Sequence, residues 1–222
     1  MAMTKDIESN LTQPTRLKAE MTSMNKFAMV VIVFAALMMF IGAVEGVMFM
    51  TLIAGELGST GIGANNAAAT FIAFFVLQWA AKDKHIELMC KRPMMFQCIT
   101  VLMDVVFLTF LWTNIVGLLP ALLVNASFGV ASQITWQKSK SALINRCITK
   151  DALSKLQTKQ QQWSTAGGCA GSLIAMVMPA TINSLCIAIL AEVIVGFIGG
   201  QIIIRKVLQF NKEKKVFEKW EE

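Results

Sequence analysis

Three carboxylic acids stand inside long apolar stretches of this chain: Glu45, Asp104 and Glu192. An ionisable side chain at the centre of a membrane helix costs about 2.5–3.5 kcal/mol on insertion scales, so each needs a partner or a water-lined cavity. The chemistry open to such a group is to carry a proton or to bind a cation within the bilayer. Glu45 shares a helix face with Gly42, Phe49 and, one residue round, Gly46, and small residues there permit close helix approach. It reads as a proton or cation site in a central cavity; the plainer reading is a neutral, hydrogen-bonded acid in a packing interface. Asp104 reads as a structural anchor to a basic loop residue, close to the cytoplasmic end of its span. Glu192 lies on a stripe with Ala188, Gly196 and Gly200, spaced by four, which is a small-xxx-small packing face. A glutamate should not face lipid unpaired, so this stripe is expected to contact a second protein chain.

Other chemistries are poorly furnished. The one histidine, His85, lies in a charged segment, and the cysteines Cys90, Cys98, Cys147, Cys169 and Cys186 include no CxxC pair. Neither a metal site nor a disulfide framework is expected, and the cysteines read as small apolar packers. No GxxxxGK[ST] occurs, so the chain has no P-loop of its own. The expectation is a protein that is not an enzyme and holds no cofactor.

The elements that must position the acids follow from composition and its placement. Hydrophobic residues make up 55% of the 222 residues and charged ones only 15%, which is a membrane protein's balance. The excess of 20 Lys+Arg over 14 Asp+Glu invites a nucleic-acid reading. Its placement, in segments flanking apolar runs, argues for a bilayer and against nucleic acid.

The first apolar run spans 27–55, and the second, 64–81, ends near Trp79, an interfacial anchor. Between them 56–63 is glycine-rich and without basic residues. From Pro93 to Trp136 there is room for two spans at about 20 residues each, with Trp112, Thr113 and Asn114 marking the turn and Pro120 just beyond. Residues 164–204 hold two more, with Pro179, Asn183 and Ser184 at their turn. The expected fold is all-α, a polytopic membrane protein of six transmembrane helices. Its parts are an N-terminal tail 1–26, a transmembrane domain 27–204 with basic loops 82–92 and 137–163, and a C-terminal tail 205–222. Leu17, Met21 and Met24 recur at helical spacing in the N-terminal tail, as in a short interfacial helix, although a flexible tail fits equally well.

Charge then orients the spans. The basic residues number four in 1–26, four in 82–92, six in 137–163 and six in 205–222, which accounts for all 20. The positive-inside rule places both termini and both basic loops in the cytoplasm. Within the longer loop Thr149 is placed to cap a helix, with Asp151 in its first turn.

The segment SKSALINRCITKDALSKL resembles the loop after span four in the major facilitator superfamily, in its drug- and siderophore-efflux branch. Ser141, Lys150, Asp151, Leu153 and Lys155 fall in matching places, while the family's prolines are missing. The following STAGGCAGSL looks like the glycine-rich fifth span of those exporters, with Gly167, Gly168 and Gly171 matching its small residues and the usual Gly-Pro pair absent. In QWAAKDKHIELMCKRPMMF, Asp83 and Lys84 stand for the Asp-Arg of the family's gating motif. Lys91 and Arg92 stand for its basic pair, with the spacing stretched and the glycines lost. Asp104 is similar to an acid that the efflux branch carries in span three.

Family members have two six-span halves, and this chain resembles the N-terminal one standing alone. The resemblance implies a bacterial inner-membrane permease that exports a small amphipathic solute by proton antiport. It would act as a homodimer or with a second membrane half, because the family's site lies between two repeats. The lost gating motif favours an alternative: a non-transporting membrane protein derived from such a half, acting as an immunity, regulatory or accessory subunit. A membrane subunit of an ATP-driven exporter ranks third.

Overall fold

The computed structural model describes residues 13–124, Ile134, Ile144, Ile148 and residues 150–212. Expectations for the ends of both tails, for the second half of span four, and for Ser141 and Thr149 lie outside these residues. The described residues form α1 (Gln13–Glu56), α2 (Gly58–Ala80), α3 (Asp83–Lys91), α4 (Pro93–Thr113), α5 (Leu118–Val124), α6 (Lys150–Ala175) and α7 (Ile182–Lys212). Four of these helices are long and apolar enough to cross a membrane: α1 from Asn25, α2, α4, and α7 as far as Phe210.

Helix α1 is the axis of the fold. Its 44 residues extend about 66 Å at 1.5 Å per residue. The tail from Gln13 to Lys26 is neither a separate interfacial helix nor a loose end; it is the first part of α1. Pro14 stands in the first turn, where a missing N–H is tolerated, and neither proline nor glycine follows until Gly42. The expected loop 56–63 is also replaced by helix: α2 starts at Gly58, whose φ of +61° makes the reversal. A left-handed backbone is unstrained only at glycine.

Two further turns carry visible reasons. Asn114 (φ 50°) and Gly117 (φ 77°) take left-handed backbone conformations, which ends α4 and starts α5 where Trp112–Asn114 predicted a turn. The second turn ends at Thr181, whose hydroxyl accepts from the Ser184 N–H at 3.1 Å and meets the Ser184 hydroxyl at 2.9 Å. That caps the N-terminus of α7.

Charged segment 82–92 is mostly the nine-residue helix α3, with Asp83 in its first turn and Lys91 in its last, both favourable against the helix dipole. Met89 and Cys90 are its buried anchors. His85 stacks on Trp79 at 4.4 Å between ring centroids, and its Nδ1–H donates to the Trp79 carbonyl at 2.7 Å. That pair pins α3 to the end of α2. Lys84 and Arg92 lie within α3 and at its end, and Lys91 pairs with Glu87 at 2.7 Å on the exposed surface. An exposed pair of this kind contributes about 0–1 kcal/mol.

Helix α1 packs most extensively on α6, then on α7, which also packs on α4. Gly167 lies against the Ala36 carbonyl, and Gly171 against the Phe40 carbonyl with the Ala43 Cβ beside it. The two helices therefore run parallel, in backbone contact. On α7, Gly199 faces the Phe34 ring and Gly196 faces Met38, so α7 runs antiparallel to α1. Two apolar clusters result. One joins Phe27, Val31 and Phe34 to Ala152, Leu156, Ile203, Val207 and Phe210. The other joins Val44, Met48 and Ile53 to Phe107, Leu111, Leu185, Ala188 and Ile189.

Candidate functional site: a carboxyl cluster within the helices

The second apolar cluster brings the three acids to one place. Glu45 follows buried Val44, Asp104 precedes buried Phe107 by one turn, and Glu192 follows buried Ala188 by one turn. Each acid lies about three turns from the end of its helix at the side without basic loops, roughly 15 Å at 1.5 Å per residue. They therefore share one depth. The Glu45 and Glu192 carboxyl groups come close to each other, and Asp104 is within electrostatic reach of both. The second Glu45 oxygen, Oε2, is buried without a hydrogen-bond partner.

Two expectations change here. Asp104 is not near the basic side of its span. It is the twelfth residue of the 21-residue α4, halfway along. The stripe of Ala188, Glu192, Gly196 and Gly200 packs toward its own chain, with Glu192 and Gly196 half-buried. Ala188 is buried in the second cluster, Gly200 is buried, Gly196 meets Met38 and Glu192 meets Glu45. The physical reason is rotation: the small residues of α7 admit α1, and the acid on the same stripe turns inward with them.

Gly42 and Gly46 differ from the packing glycines. A Cβ at either would meet nothing within 4 Å, so they leave open space beside Glu45 and do not seat a neighbouring helix. Gly168 has only the Met39 methyl, at 3.7 Å. Asp83, Lys84, Lys91 and Arg92 are held at α3, remote in sequence from the acids, and none of them is brought to the cluster.

A polar clasp that the sequence reading passed over lies between α4 and α7. Gln97 is only 3% exposed. Its amide Nε2 donates to the Gly196 carbonyl at 3.2 Å and the Phe197 carbonyl at 2.8 Å, and its Oε1 accepts from Gln201 Nε2 at 2.7 Å. The signal was present as a lone amide in an apolar run, PMMFQCITV. Among the described residues, no group of three or more His, Cys, Asp or Glu side chains is arranged to hold a metal ion.

The described residues define an all-helical fold with four helices long and apolar enough to cross a membrane, and with three carboxyl groups brought together between them. Comparison of the chain with protein-family models, curated proteins and solved structures finds no match.

Proposed function

We propose that this protein is a proton-coupled permease of half-transporter size, major-facilitator-like in plan, that exports a small amphipathic solute. The observation that carries the reading is the meeting of Glu45, Asp104 and Glu192, from three helices, at one depth. Membrane acids are functional by default, and three carboxyl groups gathered from three helices offer stepping places for proton movement. Open space beside Gly42 and Gly46 gives Glu45 a route of approach.

Helix directions support six crossings. Helices α1, α4 and α6 are parallel to one another and antiparallel to α7, as the Gly167–Ala36, Gly199–Phe34 and Gln97–Phe197 contacts require. On this reading the remaining crossing falls between residues 114 and 149, where the sequence expects span four. The basic segments would then lie on one side, which is cytoplasmic by the positive-inside rule, in a bacterial inner membrane. The weak packing of α2 leaves a face for a second copy or a second membrane half. The same bare face favours a second reading, a non-transporting accessory subunit that binds a partner within the bilayer.

Glu45→Gln tests the first reading. It should abolish solute-driven proton flux into dye-loaded proteoliposomes while leaving expression and assembly intact, and Glu45→Asp should retain part of the flux. Wild-type flux in Glu45→Gln across a range of external pH would make Glu45 a packing residue.

A further inference from the structure

Helix α1, the most heavily packed helix of the fold, leaves one strip bare between its two main partners. Helix α6 meets it at Ala36, Phe40 and Ala43, and α7 meets it at Phe27, Phe34 and Met38. At about 100° per residue these two sets fall on nearly opposite sides of α1. Between them, along one flank, run Lys26, Val30, Val33 and Leu37, spaced by four, three and four. All four are exposed, Val33 and Leu37 by 48% and 47%. On the opposite flank, between the same two partners, Ala28 and Ala35 are buried.

The partners wall this strip on both sides. On α7, the flank that carries Phe197 and Gln201 is held to Gln97 of α4. The other flank, with Ile202 and Lys206, therefore turns to the strip, and Ile198, Ile202, Arg205 and Lys206 are all exposed. Gly199 against Phe34 sets the antiparallel register, which brings Lys206 level with Phe27 and so next to Lys26 in depth. On α6, Gly168 touches Met39 on the flank of α1 away from the strip. That rotation turns Trp163, also exposed, to the near flank. At the far end Val44 is buried with Ala175 and Leu185, where the turn between α6 and α7 closes the trough.

Length and charge decide the occupant. From Lys26 to Leu37 the strip runs about 16 Å at 1.5 Å per residue, which is one leaflet of a hydrocarbon core about 30 Å thick. Its apolar length suits an acyl chain. Its open end lies where the apolar spans of α1 and α7 end, near Asn25 and Phe210, and carries cations from both helices. A lipid phosphate lies at that depth, and basic residues beside a membrane surface attract anionic lipids. The ammonium of a zwitterionic headgroup would oppose the two lysines. A free anion would use the cations and leave the trough empty. We propose that this trough binds one phospholipid of net negative charge, its phosphate at Lys26 and Lys206 with Arg205 beside them, and an acyl chain along Val30, Val33 and Leu37. The proposal does not depend on the transport reading.

The test uses the full chain in liposomes of phosphatidylglycerol and phosphatidylcholine in equal amounts, with a trace of one or the other carrying a diazirine midway along an acyl chain. After photolysis, labelled phosphatidylglycerol should mark Val30, Val33 and Leu37 several-fold more than labelled phosphatidylcholine does. The exposed phenylalanines of α2 should be marked equally by both. A basic residue near a membrane surface strengthens anionic-lipid binding about fivefold. Lys26→Gln with Lys206→Gln should therefore lower phosphatidylglycerol labelling of the strip by about an order of magnitude and leave that of α2 unchanged, and the Lys→Arg pair should keep it. Equal labelling of the strip by the two lipids would mean bulk lipid only and overturns the proposal. So does a preference that survives in the Gln pair, or a strip that takes no label because protein covers it. If the Gln pair fails to assemble, the wild-type protein in about 1 M NaCl, where charges are screened beyond about 3 Å, carries the test: the preference should fall several-fold, and an undiminished one overturns the proposal.

Discussion

Helices α1 and α2 are joined by a turn at Leu57–Gly58, and both are long and apolar enough to cross a membrane, yet they are held differently. The most apolar stretch of α1 is 39% buried and that of α2 only 11%. Helix α1 is met by glycines on two partners, Gly167 and Gly171 on α6 and Gly196 and Gly199 on α7. The glycines of α2, at 58, 61 and 63, are crowded at its first turns, and Gly61 there meets only Leu57 and Ile53 of the same hairpin. Beyond them Phe71, Phe74 and Phe75 are 63%, 56% and 52% exposed. Lipid tails are as apolar as leucine, so apolarity alone does not draw helices together in a bilayer. Close backbone approach and polar clasps do, and in this chain they are concentrated on α1, α4, α6 and α7.

The largest effect should come from filling the α1–α6 contact. A side chain at Gly171 would collide with the Phe40 carbonyl, which belongs to a helix backbone and cannot rotate away. Gly171→Leu should destabilise the protein by about 3 kcal/mol or more, seen as loss of the folded fraction in detergent thermal unfolding. Gly46→Ala is the matched control. A Cβ there meets nothing within 4 Å, and replacing a helical glycine with alanine favours helix by up to about 1 kcal/mol. Equal melting of the two variants would remove the distinction between packing and open glycines.

A smaller effect should follow from breaking the α4–α7 clasp. Gln97→Leu keeps the volume and removes three hydrogen bonds. The Gly196 and Phe197 carbonyls remain within a helix, so the loss reflects the amide alone. Interhelical hydrogen bonds in membrane proteins average about 0.6 kcal/mol and reach about 1.7, so Gln97→Leu should cost about 1–2 kcal/mol in the same melt. A double variant with Gln201→Leu should add less than the sum of the singles, because both residues serve one network. Full additivity would mean that the two amides act separately.

Parts of this arrangement were legible in the sequence. Apolar runs located four helices long and apolar enough to cross a membrane, because a run of about 20 apolar residues has few other uses. The turn at Trp112–Asn114 was legible from polar residues between such runs. Depth was legible too: counting from the turns puts Glu45, Asp104 and Glu192 at one level, and setting Asp104 near the basic side missed that count. Rotation was not legible. Whether Glu192 looks at lipid, at a second chain or at Glu45 depends on which face α1 occupies, and a stripe of small residues states only that something packs there. Continuity was not legible either. The basic segment before Trp163 and the glycine-rich segment after it read as a loop and a span. They are one helix, α6, because nothing between Lys150 and Gly167 breaks it.

The smallest effect is expected on α2, and its smallness is informative. Phe74 is more than half exposed and belongs to neither of the two large apolar clusters. Its ring touches Phe75 edge-on with centroids 5.3 Å apart, a contact within the same helix. If lipid covers this face, Phe74→Ala exchanges one apolar surface for another and should change stability by no more than about 0.5 kcal/mol. The same truncation in a protein core costs about 3–5 kcal/mol, so the two surroundings are well separated. Measuring the melt in native lipid and again in detergent, with the mass of the assembly determined alongside, checks this. A loss above 1.5 kcal/mol, or a fall in assembly mass on Phe74→Ala, would show that protein covers α2. The second copy or second half that a six-span permease needs would then sit on the phenylalanine face of α2, away from the Glu192 stripe of α7.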